Sequence, residues 1–301
     1  MRVPAGITDI VDAHHHIWDL EKVRYPWLMQ RGVKRFFGDP SPIQHTYEIN
    51  DLRREFGELP VNRSVHIQVG AADDQTVAET AWVQSQSDAY DQPNALVVFV
   101  DLAADNADAM LDTQQAYSGV RGVRQIIGRH VSEDSQTGTG SLIDNPTFER
   151  NLKQLSARGL SFDLQLIPPQ MPALLSLLDR CPDTPIALCH CGSPWDQTDA
   201  GLRFWREQIV AFAKREHIVC KVSGLGMFNP AWDAASARQI VLPIIDAFGP
   251  DRVMFGSNYP VDKLYRPYVD IYRDYFTLTA DFELHEQQRM FCDTAARFYR
   301  L

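Results

Sequence analysis

Eight short apolar runs, each followed by a stretch of helical character, recur along the chain and constrain the fold more than any other feature. They are Ile7–Val11 leading into Asp12–Trp18, then Ser64–Val69, Leu96–Val100, Gly119–Ile127, Leu160–Ile167, Pro185–His190, Ile218–Ser223 and Arg252–Asn258. Strands alternating with helices pair in parallel through right-handed crossovers. Eight such units in 301 residues favour a (β/α)8 TIM barrel over a doubly wound sheet. An open nucleotide-binding sheet carries a glycine-rich loop after its first strand, whereas this chain carries histidines there.

Helices are expected at Asp73 to about Tyr90, Asp105–Tyr117, from Pro146, Met171–Arg180, Gly201–Arg215, Trp232–Phe248, 266–278 and 282–298, with a polar loop at 132–141. Residues 1–301 read as a single domain, with 19–46 as a long loop or lid after strand one. Loops of that length in a compact domain are usually functional lids or linkers, and Tyr25, Trp27, Phe36 and Phe37 favour a lid.

Charge narrows the partners. With 39 acidic against 29 basic residues the net charge is −10, which argues against nucleic acid or an anionic membrane and for a small-molecule substrate. A homo-oligomer stays open. No apolar run approaches the ~18 residues of a spanning helix, and Met1–Gly6 lacks a secretory apolar core, so a cytoplasmic protein is expected. Five cysteines, an odd number lying mostly in apolar runs, read as reduced, buried thiols.

In a regular strand, alternation puts Asp12, His14 and His16 on one face and Ala13 and His15 on the other. Polar residues also collect at the C-terminal ends of the other strands, where barrel enzymes keep their reacting groups. They include His66, Gln68, Asp101, Arg124, Asp163, Gln165, His190, Lys221, Ser223, Ser257 and Asn258, with Arg129 and His130 just beyond strand four. His66 serves equally well as a hydrogen-bonded core histidine. Lys221 reads as a structural ion pair with Asp163 or Asp12 rather than a Schiff-base lysine. Parity puts Arg121 opposite Arg124, so one of them faces the pocket. His14, His16 and His190 converging at the barrel mouth could hold Zn²⁺ with an open position for water. The carboxylate candidates for such a site, Asp12 and Asp101, are not placed opposite them, so the cage reads as incomplete.

Three motifs together resemble the amidohydrolase-related (amidohydrolase 2) family of the amidohydrolase superfamily. They are Asp12-x-His14-x-His16-x-Trp18, the strand-end His190 with its nearby glycine, and Phe255-Gly256-Ser257-Asn258-Tyr259-Pro260. The likeness extends through Val65–Gln68, Val120–Gln125 and Val222–Gly226, and is greatest to the branch holding L-fuconolactonase, 2-pyrone-4,6-dicarboxylate lactonase and 4-sulfomuconolactone hydrolase. It implies a distorted (β/α)8 barrel that opens a small, carboxylated lactone. His14, His16 and His190 are implied as metal or carbonyl ligands, Arg124 and Arg129 as clamps for an anion, and Trp18, His66 and Gln68 as substrate-binding residues. One divalent metal, Zn²⁺ or Mn²⁺, and a metal-free site are both compatible with that branch.

Two departures matter. The family usually has an aspartate as general base where this chain has Asn258, and an amide does not titrate near neutrality. The superfamily often has a further metal ligand on the middle strands, where this chain has Asp163 and Gln165. The base is then expected at Asp262, or else at His66 or one of the three site histidines. A metal-dependent decarboxylase and a catalytically silent barrel are the alternative readings.

Overall fold

A computed structural model of the protein describes residues 3–301 apart from 5, 132 and 134–138. Its strands are β1 (Ile10–His15), β2 (Val61–Ile67), β3 (Ala95–Val98), β4 (Val120–Val123), β5 (Ser161–Leu164), β6 (Ile186–Leu188), β7 (Ile218–Val222) and β8 (Val253–Phe255). They form one eight-stranded sheet in sequence order, and each successive pair is parallel. Just past β8 the sheet returns to β1. Asn258 N donates to His14 O and His16 N donates to Tyr259 O, both at 2.7 Å. Only a glycine permits this approach at position 256, because a Cβ there would lie 2.7 Å from His14 Cβ. The result is the (β/α)8 TIM barrel that the strand rhythm predicts.

The helices after the successive strands are α1 (Ile49–Glu55), α2 (Thr76–Tyr90), α3 (Ala107–Gln115), α4 (Pro146–Ala157), α5 (Met171–Asp179), α6 (Asp199–Ala213), α7 (Ala234–Phe248) and α8 (Tyr268–Leu278), with α9 (Thr294–Tyr299) at the end. Their starts follow local chemistry. The Asn145 side chain accepts from Thr147 N and Phe148 N ahead of Pro146, and Thr198 accepts from Gly201 N. The expected helix at 282–298 is interrupted: Leu284–Gln288 and α9 are separated by a π turn at Arg289–Asp293. The expected polar loop at 132–141 lies largely outside the described residues. Among the described residues no helix is long and apolar enough to cross a membrane.

Strand alternation sorts the core into two layers. Val11, Ala13, Val65, Ile67, Ala95, Val97, Ala187, Val219 and Met254 pack together with Cys292, Ala295 and Tyr299. The opposite strand faces, with residues such as Phe162, Leu164 and Phe255, pack against the helices. This layering decides where every polar strand residue points.

The expected common face of Asp12, His14 and His16 does not survive. Asp12 is in register with Ser64 and His15 with His66, so β1 spends three steps where β2 spends two. That extra residue is a bulge, which breaks the alternation. Asp12 consequently turns to the helix layer, where Tyr268 of α8 donates to it at 2.9 Å. His14 turns the other way, towards Asp163 and Cys189.

Candidate active site

The C-terminal strand ends open into a cavity of about 520 Å³. His16, His190, Arg124, Arg129, Gln165 and Asn258 line its floor and sides, with Ile126, Val69 and Met227 between them. The 19–46 segment supplies the opposite wall through Pro26, Trp27, Arg35, Phe36 and Phe37. This wall is anchored rather than loose. Trp27 Nε1 donates to Val69 O at 2.8 Å, Arg35 pairs with Glu133 at 2.9 Å, and Tyr265 donates to Phe37 O.

His14 lies behind the other two site imidazoles, its ring centroid 5.1 Å from that of His16 and 4.4 Å from that of His190. His16 Nδ1 faces Ile67 O at 2.7 Å, and a carbonyl can only accept, so the Nδ1 proton is fixed and Nε2 keeps its lone pair. His190 Nδ1 meets Ser223 Oγ at 3.0 Å. Both nitrogens of His14 are buried without a hydrogen-bond partner among the described residues. Burial first, then the cationic Arg124, neighbouring imidazoles and, for His14 and His190, Lys221 hold these rings well below the ordinary imidazole pKa. All three are neutral bases at physiological pH.

Arg124 is 5% exposed. Its guanidinium donates to Gln165 Oε1 at 3.2 Å and to Gln68 O, while Nε has no partner. Burial pushes its pKa down to about 10, which leaves it cationic near neutrality. Arg121, its parity opposite, is spent on Ser118 O and Val120 O.

Asn258 lines the cavity in a left-handed backbone conformation, φ +56°. Its Nδ2 donates to Asp262 Oδ1 at 3.2 Å. Asp262 is fully buried behind it rather than at the cavity surface, its Oδ2 unpartnered. Burial raises its pKa to about 7, against the opposing hydrogen bond from Asn258.

Three expected substrate-binding residues do not line the cavity. Val65 and Ile67 occupy the barrel interior, so His66 and Gln68 face α2, around a small void shared with Glu79 and Thr80. Trp18 is fully buried, donates to His45 O at 2.6 Å and packs edge-on against Trp27. It braces the aromatic wall from behind. Arg35 and Met227 were not anticipated as lining residues. Nothing local in the sequence marks them: Arg35 reaches the cavity only when the 19–46 segment folds back over the strand ends, and Met227 sits on the short helix Leu225–Phe228 after β7.

Beneath the cavity lies a buried polar cluster. Lys221 Nζ is 2.6 Å from Asp163 Oδ2, both side chains fully buried, and Tyr299 of α9 donates to Asp163 Oδ1 at 2.8 Å. Cys189 Sγ donates to Asp163 Oδ2 at 3.8 Å, and burial pushes this thiol up to about 12. Among the described residues, ligand atoms of His14, Asp163 and Cys189 all lie within 4.8 Å of one another, the spacing of a metal cradle; the three imidazoles are not such a group.

The amidohydrolase family model matches residues 11–301. The chain belongs to the amidohydrolase family. It is therefore an enzyme, a hydrolase by membership. The chain is 36% identical to the uncharacterized protein y4mH of Sinorhizobium fredii over 97% of its own length and 98% of that protein. It is 26% identical to L-fucono-1,5-lactonase of Burkholderia multivorans, over 97% of this chain and 96% of the relative. Among solved amidohydrolases, a Burkholderia multivorans structure with bound zinc superposes with a TM-score of 0.81 at 25% identity, covering 97% of this chain and 99% of that one. A probable 2-pyrone-4,6-dicarboxylic acid hydrolase from Acinetobacter baumannii shares the fold, with a TM-score of 0.71 at 14% identity over 97% of this chain and 99% of that one.

The zinc in that relative invites a test of fit here. His14, with two unpartnered nitrogens, has the chemistry of a ligand. Its carboxylate neighbour does not, because Asp163 is already neutralised by an ammonium at 2.6 Å and hydrogen-bonded by a phenol. Beside the imidazoles at the cavity, Asn258 is a neutral amide and Asp262 stands behind it, so neither presents a carboxylate there. With Lys221 paired to Asp163, and with Arg124 and Lys221 both acting on His14 and His190, the cradle of His14, Asp163 and Cys189 does not fit a divalent cation as it stands.

Proposed function

We propose that this amidohydrolase opens a small lactone bearing a carboxylate. One observation carries the reading: among the described residues, Arg124, buried at the cavity, donates only to neutral acceptors, and its Nε has no partner. A buried guanidinium with no carboxylate in hydrogen-bond contact is stabilised by an anionic ligand, to which it offers parallel N–H donors. Arg129 lines the same cavity and adds positive charge. The likeness to L-fucono-1,5-lactonase along nearly the whole chain supports ring-opening of a cyclic ester.

In this reading Arg124 holds the carboxylate and turns the ester carbonyl towards His16, His190 and Asn258. Asn258, with Nδ2 given to Asp262, offers Oδ1 to an attacking water. The fixed tautomer of His16 leaves Nε2 to take that water's proton as its oxygen bonds to the carbonyl carbon. In the tautomer whose Nδ1 accepts from the Ser223 hydroxyl, 3.0 Å away, His190 carries its proton on Nε2 and donates to the developing oxyanion. When the ring C–O bond breaks, the proton held on His16 goes to the leaving alkoxide, and the sum is addition of one water.

The test is a panel of lactones in matched pairs, with and without a carboxylate, followed by proton release and by product mass. Turnover of the carboxylated members with a mass gain of one water is expected. Release of CO₂ would replace the reading with a decarboxylase, and no turnover across the panel, with Asn258→Asp active, would mark the natural chain as silent.

A further inference from the structure

We propose that Lys221 takes the place of a catalytic metal in this enzyme: its ammonium fills the cationic position of the cradle formed by His14, Asp163 and Cys189, and removing it turns that cradle into a zinc site. The inference concerns the polar cluster beneath the cavity of the hydrolase reading, and does not depend on which substrate is turned over.

The argument is one of charge and space. Lys221 Nζ and Asp163 Oδ2 stand 2.6 Å apart with no exposure on either side chain, so each supplies the other's counter-charge in a medium that screens poorly. Tyr299 binds both oxygens of Asp163, at 2.8 and 3.0 Å, and its ring lies under the ammonium, 4.9 Å from Nζ. The position is built for a cation from two sides, by the carboxylate and by the ring. A divalent ion placed among His14, Asp163 and Cys189 would have to share the Asp163 carboxylate with this ammonium. It would also add two charges to a region where Lys221 is balanced and Arg124 is not. Without Lys221 the same residues offer an imidazole with both nitrogens unpartnered, an uncompensated carboxylate and a thiol, all within 4.8 Å. That is the mixed N, O and S donor set that zinc accepts.

Lys221 is thus a positioning residue: it does not line the cavity, and its charge acts through Asp163 on His14. The experiment is metal binding by the purified full chain, read by elemental analysis after dialysis against micromolar ZnCl₂ and by zinc-dependent shifts in melting temperature. No substrate is needed, so its outcome and that of the lactone panel are independent. Wild type and Lys221→Arg are expected to retain well under one zinc per chain, with melting curves unmoved by zinc or chelator. Lys221→Met is expected to bind zinc roughly 10–100-fold more tightly than wild type, the range over which neighbouring groups tune metal affinity. Adding Cys189→Ser should weaken that gain. Lys221→Met that folds only when zinc is supplied supports the proposal equally. A stoichiometric zinc in wild type that His14→Ala releases would overturn it, as would Lys221→Met that matches wild type in zinc affinity, or that stays unfolded with and without the metal.

Discussion

Asn258 gives its amide N–H to the buried carboxylate of Asp262, 3.2 Å away, so a carboxylate stands one side chain removed from the cavity. The amide meets substrate and the carboxylate orients the amide. Asp262→Ala should lower kcat roughly 10–100-fold with little change in KM, because it frees the group that positions water without touching the anion clamp. Steady-state kinetics on a carboxylated lactone check this, and an effect confined to KM would count against it.

Stability should respond to pH through the same carboxylate. Burial raises Asp262 from 3.8 to about 7, so between those values the folded chain holds a proton that the unfolded chain has released. Its contribution is complete below the unfolded value and is lost as pH rises through the folded one. Glu79, also raised by burial to about 7, acts in the same direction. The buried histidines, lowered by desolvation, act in the opposite direction, so the carboxylate is read as a difference: the melting temperature of Asp262→Asn, which keeps an acceptor but does not ionise, should rise relative to wild type from about pH 4 to about pH 7. Parallel curves for the two proteins would remove Asp262 from the account.

Arg124→Met should cost about 2–3 kcal/mol in kcat/KM for carboxylated lactones, as expected for a charge-assisted pair. The loss should lie mainly in KM. A lactone of the same ring without the carboxylate should lose much less, and equal losses on both would show that Arg124 does not read the anion.

Glu133 holds the aromatic wall from the far side of the mouth. It pairs with Arg35 at 2.9 Å and accepts from Phe36 N at 3.0 Å. Glu133→Gln should change stability by under about 1 kcal/mol, as for other partly exposed pairs, while raising KM several-fold as the wall loosens. Comparing melting temperature with KM separates the two effects.

Much of this enzyme is legible without a structure. The βα rhythm alone specifies the parallel barrel, since strands buried on both faces and joined by helices have few ways to pack. The strand-end positions of His16, His190, Arg124 and Asn258 follow, because barrel topology puts those ends at one mouth. The pairing of Lys221 with Asp163 was one of two that the sequence allowed, and Tyr268 claims Asp12, the other. Tertiary structure decided the rest. One extra residue in β1 reverses the facing of His14 relative to Asp12, and no local pattern announces a bulge. His66 and Gln68 sit at strand ends yet face α2, because Val65 and Ile67 take the interior. Cys189, Asp163, Lys221 and Tyr299 come from four separate elements, so only closure of the barrel brings them under His14, and with them the cation that occupies the cradle.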